Sequence, residues 1–456
     1  MKIGVDFGTT HTSAAYFSGD QLRFVPLDEK NDEAILLRSM LYITREQDCL
    51  LGRTAVETYL REDTGRIVRF EDKFVGTVEN TVAQLARGPM EPDGPITIIY
   101  DVVVAEDVST HGRLIQSIKT ALRDPHYEGT NIFGDYYSVQ ELIALILRHV
   151  RQRAEAELGQ PVDGVLLGRP VRFNADPMID ALAQTRLHEA AQLAGFTDVS
   201  FEKEPLAAAR FYTHTLAQAE TIFVFDFGGG TLDMTLMKAE PGQTPEILAT
   251  HGVLVGGDDL DSALMRGKVA PYFGTTAVVD AEGSPFPHNL ANLLGHWQTI
   301  PRLSRPENLA VIRGARRFGS DKQAFAALEN LVTQNYGFQL FEHVERSKRA
   351  LSTAESTRID LHFSERIDLD IPISRREFQR AIVAEVAQVQ QGLTKILAES
   401  GLAPTAVDTI VTTGGSSLIP LFQTMLTNKF PTARLVQSNT FGSVTAGLAL
   451  QAAESD

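Results

Sequence analysis

Two aspartates in this chain each end a short apolar run and stand directly before a turn of small residues. Ile222–Phe225 is β-branched and aromatic, which predicts a buried strand. Asp226 closes it, Gly228, Gly229 and Gly230 turn the chain, and Thr231–Met237 predicts a returning strand. Successive glycines let backbone N–H groups approach an anion that any Cβ would hold off. A carboxylate beside such a turn cannot itself bind phosphate, so a cation must lie between them. Asp226 with its glycines therefore spells a phosphate–Mg²⁺ site, or else a plain glycine-rich hairpin. The N-terminus repeats the construction from Ile3 to Phe17, with Asp6, Phe7, Gly8, Thr9 and Thr10 between two strands. Two such units about half a chain apart suggest two related lobes facing one nucleotide.

The remaining elements must position these turns. Glu204 and Pro205 lie between a strand over Val199–Glu202 and a helix, an edge where sites form in α/β sheets. A helix-start carboxylate favoured by the dipole explains Glu204 equally well. Gly256–Asp261 reads as a glycine turn leading into an acidic helix start, with Gly257 beside Gly256. Gln339–Ser352 is helical, and Glu345, Lys348 and Arg349 share one face. They form a surface ion-pair ladder or a polar clamp for ribose and purine. Thr409–Pro420 runs strand, Gly414-Gly415, helix, so that a flat ligand could lie against the backbone. Ser138 and Glu141 make a capping box for a helix to Leu158. Helices are further predicted over Leu114–Leu122, Pro177–Ala194, Arg376–Ser400 and Gly442–Ala453, and strands over Ile96–Val104, Arg358–Phe363 and Arg366–Ile373. Residues 270–310 read as an irregular insertion. On local pattern alone, Lys73 is a solvated lysine pairing with Glu71 or Asp72. His188–Gln192 lacks the second histidine of a zinc-protease motif, and Gly314–Gly319 lacks the lysine of a P-loop.

Composition narrows the partners. The 456 residues are 43% hydrophobic and 22% charged, ordinary for a globular chain of two or more domains. A net charge of −16 argues against nucleic acid and anionic membranes. The single cysteine, Cys49, excludes an intramolecular disulfide, and no apolar run reaches the length of a bilayer. A cytoplasmic protein is expected.

Taken in order, the motifs resemble the ATPase domain of the heat-shock 70-kDa (DnaK-type) chaperone family, in the format of its short YegD-like homologues. They are Asp6-Phe-Gly-Thr-Thr10, Glu204-Pro205-Leu-Ala-Ala-Ala209, Asp226-Phe-Gly-Gly-Gly-Thr231 with Asp233, Gly256-Gly-Asp-Asp-Leu-Asp261, Glu345-Arg-Ser-Lys-Arg-Ala-Leu-Ser352 and Gly414-Gly-Ser-Ser417. The resemblance implies an α/β, actin-like ATPase fold with duplicated ribonuclease H-like lobes on mixed five-stranded sheets. Lobe I would span residues 1–217 with an insertion at about 39–137, and a helix over 437–456 would return to it. Lobe II would span 218–436, with an insertion at about 258–375.

The cofactors implied are ATP/ADP and Mg²⁺, with K⁺ as a further cation. Asp6 and Asp226 would order the metal and its waters. Lys73, at a Phe-x-x-Lys pattern, would be the catalytic lysine, acting with Glu204, Asp226, Thr231 and Asp233. Gly8, Thr9, Thr10, His11, Gly228, Gly229, Gly230 and Thr231 would hold phosphate. Gly256, Gly257, Glu345, Lys348, Arg349, Ser352, Gly414, Gly415 and Ser416 would enclose the nucleoside, and Pro170 resembles a switch proline. The function implied is slow ATP hydrolysis that sets lobe closure, with a protein partner or co-chaperone and no peptide-binding domain. A filament or scaffold protein, and a small-molecule kinase, are the other readings the superfamily offers. Departures from the family pattern are His11 after the threonines, Leu418 in place of an adenine-stacking arginine, and Phe441-Gly442-Ser443 in place of an acidic pair.

Overall fold

The structure, a computed structural model, describes residues 1–19, 21–84, 94–213, 216–241, 243, 245–437 and 442–455, with backbone alone for 72–84, 94–106 and 455. Its frame is one sheet design used twice. Strands β1 (Lys2–Phe7), β2 (His11–Ser18), β3 (Gln21–Phe24), β4 (Gly164–Arg169) and β5 (Asp198–Lys203) lie in the order β5-β4-β1-β2-β3, with Leu37–Arg38 also pairing β2. Strands β6 (Glu220–Phe227), β7 (Leu232–Ala239), β8 (Glu246–Val253), β9 (Thr409–Thr413) and β10 (Arg434–Gln437) lie in the order β8-β7-β6-β9-β10. In each sheet the first three strands are antiparallel and the last two add in parallel. The same turn closes both hairpins: Gly8 N–H donates to His11 O and Gly228 N–H to Thr231 O, each at 3.0 Å.

Helices fix the sheets. α1 (Val139–Leu158) starts in the predicted Ser138–Glu141 capping box and stops at Gly159, whose φ of 65° suits glycine. It packs with α2 (Pro177–Leu193) on the first sheet, where Leu142, Ile146, Leu187 and Ala190 meet Ile3, Val5 and Phe7. α3 (Glu204–Thr213) follows β5 directly. α4 (Gly257–Leu264) and α5 (Gly337–Ala350) belong to the second half, whose core joins Phe223, Phe225 and Phe227 to Phe422 and Phe430. α6 (Ser443–Ser455) crosses back to lie on β1, β2 and α3. Its crossing is close enough that a Cβ on Gly447 would sit 1.8 Å from the carbonyl oxygen of Ala207. Among the described residues no helix is long and apolar enough to cross a membrane.

The structure corrects several expected elements. Leu114–Leu122 is not a helix: Gly112–Gln116 is a strand paired with Met40–Thr44, and only Ile118–Arg123 coils, as a 3₁₀ turn. Sheet pairing outweighs the helical spacing of its apolar residues. The helix over Arg376–Ser400 breaks at Ile382 into Arg375–Ala381 and Val383–Ser400. The region read as irregular holds several short helices, including 3₁₀ turns at Ala270–Phe273 and Ile300–Ser304. Lys73 falls in a long strand, Phe70–Gln84, which pairs with Gly94–Asp107. Its side chain lies outside the described residues, as does Phe441.

Candidate functional site

Because both hairpins end in their small-residue turns on the same side, the two turns meet. A Cβ on Gly229 would lie 2.2 Å from the Thr10 side chain, and one on Gly230 would lie 2.9 Å from Thr9 Oγ1. Glycine is needed at both positions for this approach. Gly256 N–H is capped by Asp259 Oδ2 at 2.8 Å, and a Cβ on Gly256 would strike Gly229 O. The amides of Gly257 and Asp258 bond Gly228 O and Gly229 O at 3.0 and 2.9 Å. α4 therefore braces the triple-glycine turn from behind.

These turns floor a cleft of about 580 Å³. It is lined by Asp6, Gly8, Thr9, Thr10, His11, Glu204, Asp226, Gly228, Gly229, Gly230, Thr231 and Asp233, and on the α5 side by Gly257, Glu345, Lys348, Arg349, Ser352, Gly414, Gly415, Ser416 and Leu418. The residues singled out in the sequence thus converge, apart from Gly256, which supports the turn from outside the cleft, and Pro170, which does not line it; the side chain of Lys73 lies outside the described residues. Lys348 does not reach freely into the space. Its Nζ donates to Asp261 Oδ2 at 2.6 Å and to Gly257 O at 3.0 Å, tying α5 to α4.

Among the described residues the cation beside Glu204 is Lys119, which carries no motif in the sequence. Its Nζ meets Glu204 Oε1 at 2.8 Å, and both side chains are 11% exposed. Burial pulls against its charge, but Glu204 and Asp6 hold it above the usual lysine range. The one local signal was a sole lysine in the otherwise largely apolar Leu114–Leu122 stretch. Opposite it, burial and Glu204 push Asp6 up to about 7 against the pull of Lys119. Asp233 also rises to about 7, from burial and Glu204, although Thr231 Oγ1 donates to it at 3.2 Å. Burial, Glu204, Asp233 and Asp6 together raise Asp226 well above the carboxylate range. Burial and Arg38 push His11 down to about 4, leaving its imidazole neutral near pH 7.

Among the described residues, four carboxylates facing one lysine leave negative charge uncompensated, and a divalent cation would supply the missing charge. Among the described residues no three His, Cys, Asp or Glu side chains close into a metal cage. Mg²⁺ fits such a site as an ion held by one or two carboxylates, water and substrate phosphates.

The mouth of the cleft is bridged. Arg38 donates to Glu342 through both terminal nitrogens, Nη1 to Oε2 at 2.9 Å and Nη2 to Oε1 at 2.7 Å, and lies 3.7 Å from Glu345. Ser117 Oγ donates to Asp258 at 3.0 Å and Trp297 Nε1 to Gln116 Oε1 at 2.6 Å. Tyr42, Tyr59, Trp297 and Phe338 pack across the same junction, edge to face except for the tilted Tyr59–Trp297 pair. Neither Arg38 nor Trp297 carries a local signal, since each acts only through contacts distant in sequence.

The family model described as Hsp70 protein matches residues 109–288 and 328–454. The chaperone protein DnaK of Elusimicrobium minutum is 25% identical over 430 residues, covering 92% of this chain and 52% of its own. The chaperone protein DnaK of Thermus thermophilus is 24% identical over 429 residues, covering 92% and 55%. The chain thus spans about half the length of the curated relatives it matches. A match over most of the chain joins a duplicated sheet whose two turns face one cleft, and the chain belongs to the Hsp70 family and has its actin-like ATPase fold.

Proposed function

We propose that this chain binds ATP with Mg²⁺ in the cleft and hydrolyses it slowly, and that the bound nucleotide sets how far the two halves close. The observation that carries the reading is the pairing of Lys119 with Glu204 among Asp6, Asp226 and Asp233, directly over the two small-residue turns. When bound, Mg²⁺ would draw charge from the phosphates. Asp6 and Asp226 would hold its waters. Turn amides and the hydroxyls of Thr9, Thr10 and Thr231 would hold phosphate oxygens. Lys119 Nζ would offset the charge on the transferring phosphoryl group, and Glu204 would keep Lys119 aimed and orient the attacking water. That is positioning plus fixed electrostatics, which is what phosphoryl transfer needs from a protein. Glu345, Arg349 and Ser352 would take the nucleoside, with Leu418 as an apolar wall. Lys348 would serve by bracing α4. A co-chaperone-like protein is the expected partner and the cytoplasm the expected place.

Calorimetric binding and steady-state hydrolysis on the chain with Lys119→Met and Lys73→Ala test this reading. Lys119→Met should keep ATP binding and lose about 100- to 1,000-fold in turnover, the range for removing one preorganised charge-stabilising group. Turnover kept by Lys119→Met and lost by Lys73→Ala would return the role to Lys73.

A further inference from the structure

Lys119 stands on a six-residue 3₁₀ turn, Ile118–Arg123. Such turns have poor hydrogen-bond geometry and depend on their surroundings to stay formed. At its N-terminal side Ser117, at φ 57°, hands the chain from strand to turn and reaches across the cleft to Asp258. At its C-terminal side three backbone carbonyls converge on one side chain. Arg186, from the middle of α2, points Nη1 at Ala121 O, Leu122 O and Asp124 O, at 3.1, 3.4 and 2.8 Å. Arg186 is 6% exposed. Among the described residues its hydrogen bonds go to these carbonyls, and no carboxylate pairs with it.

A buried arginine is costly unless its donors are matched, so chains seldom bury one without a carboxylate. Here the charge faces the carbonyl end of a short helical turn, where a cation is favoured. Leu122 and Ile118, both buried, seat the turn on the core of the first sheet, and α2 packs along it. The turn is thus held by apolar seating from below and by one guanidinium at its end. Ser117, bonded to Asp258 and accepting from Thr120 N–H, holds the other end of the turn, while Lys119 Nζ must meet Glu204 at 2.8 Å.

We infer that Arg186 is a positioning residue for hydrolysis: it fixes the turn that aims Lys119 into the cleft, acting from α2 without touching the nucleotide. The inference rests on the reading of Lys119 given above. It separates from a merely structural role because its effect must pass through Lys119.

The test is a double-mutant cycle on the full chain, with steady-state ATP hydrolysis and thermal unfolding measured for Arg186→Met, Lys119→Met and the pair. Arg186→Met should lower kcat by about 100-fold, the loss that a displacement of about 1 Å causes, with KM for ATP unchanged. In the Lys119→Met background it should lower kcat no further, while any fall in Tm is the same in both backgrounds. Arg186→Lys, which keeps the charge, should recover part of the turnover, and it carries the test if Arg186→Met fails to fold. Full turnover in Arg186→Met beside a crippled Lys119→Met overturns this inference alone, as does a loss that adds in full to that of Lys119→Met. Full turnover in Lys119→Met overturns the assignment of Lys119, and this inference with it.

Discussion

Asp233 lies within a hydrogen bond of Thr231 and faces Glu204, and burial and that neighbour hold its carboxyl at about 7. A carboxyl raised in the folded chain keeps its proton where the unfolded chain has lost it. Its contribution therefore lowers stability as pH rises from about 4 to about 7. Asp233→Asn, whose amide oxygen can still accept from Thr231, removes that penalty. The nucleotide-free variant should melt on the order of 2 °C higher than the parent near pH 8 and show little difference near pH 4. A larger gain at the acid end in calorimetric melts would contradict the sign. Asp6, Glu204, Asp226 and the glycines were legible in the sequence because turn chemistry and strand ends are local. Lys119 was not, because nothing within its own segment says that it will meet Glu204, a partner 85 positions along the chain. The Phe-x-x-Lys pattern points to Lys73, whose side chain lies outside the described residues, while Lys119 enters the cleft from a turn.

The hairpins, the capped α1 and the strand-to-helix step at Glu204 follow from periodicity and capping, and the structure forms all of them. Leu114–Leu122 and Arg376–Ser400 depart from the expectation where tertiary pairing and a single break outweigh local spacing. Long-range packing also sets α6. Gly4 of β1 lies under it, with a Cβ there 2.3 Å from Ala449 N, and Gly447 lies against α3. The sequence displays α6 only as a helix of small residues. The fold explains why they are small: three elements approach to backbone distance. Gly447→Ala should cost about 1–3 kcal/mol, as overpacking does, because backbone atoms rather than a flexible side chain stand in its way. A denaturation midpoint equal to the parent's would show that α6 can move aside freely.

Across the whole molecule the two halves touch at the cleft floor and again at its mouth. Arg38 and Glu342, 13% and 19% exposed, make the mouth contact a paired, charge-assisted one. Opening the cleft must break it, so Arg38→Met should release bound ADP about tenfold faster or more, as charged hydrogen bonds of about 1.5–3 kcal/mol imply. An unchanged release rate of labelled ADP would mean that this ion pair does not hold the cleft shut. Few of these mouth contacts could be read in the sequence, since Arg38, Gln116 and Trp297 find their partners from far along the chain. The bridge between Trp297 and Gln116 has an optical consequence. Trp297 is the chain's only tryptophan, and its indole N–H is fixed by Gln116 beside Tyr59 and Phe338. Its fluorescence therefore reports this junction, and a stopped-flow trace of the unlabelled protein would follow the opening of the cleft in light emitted at its own mouth.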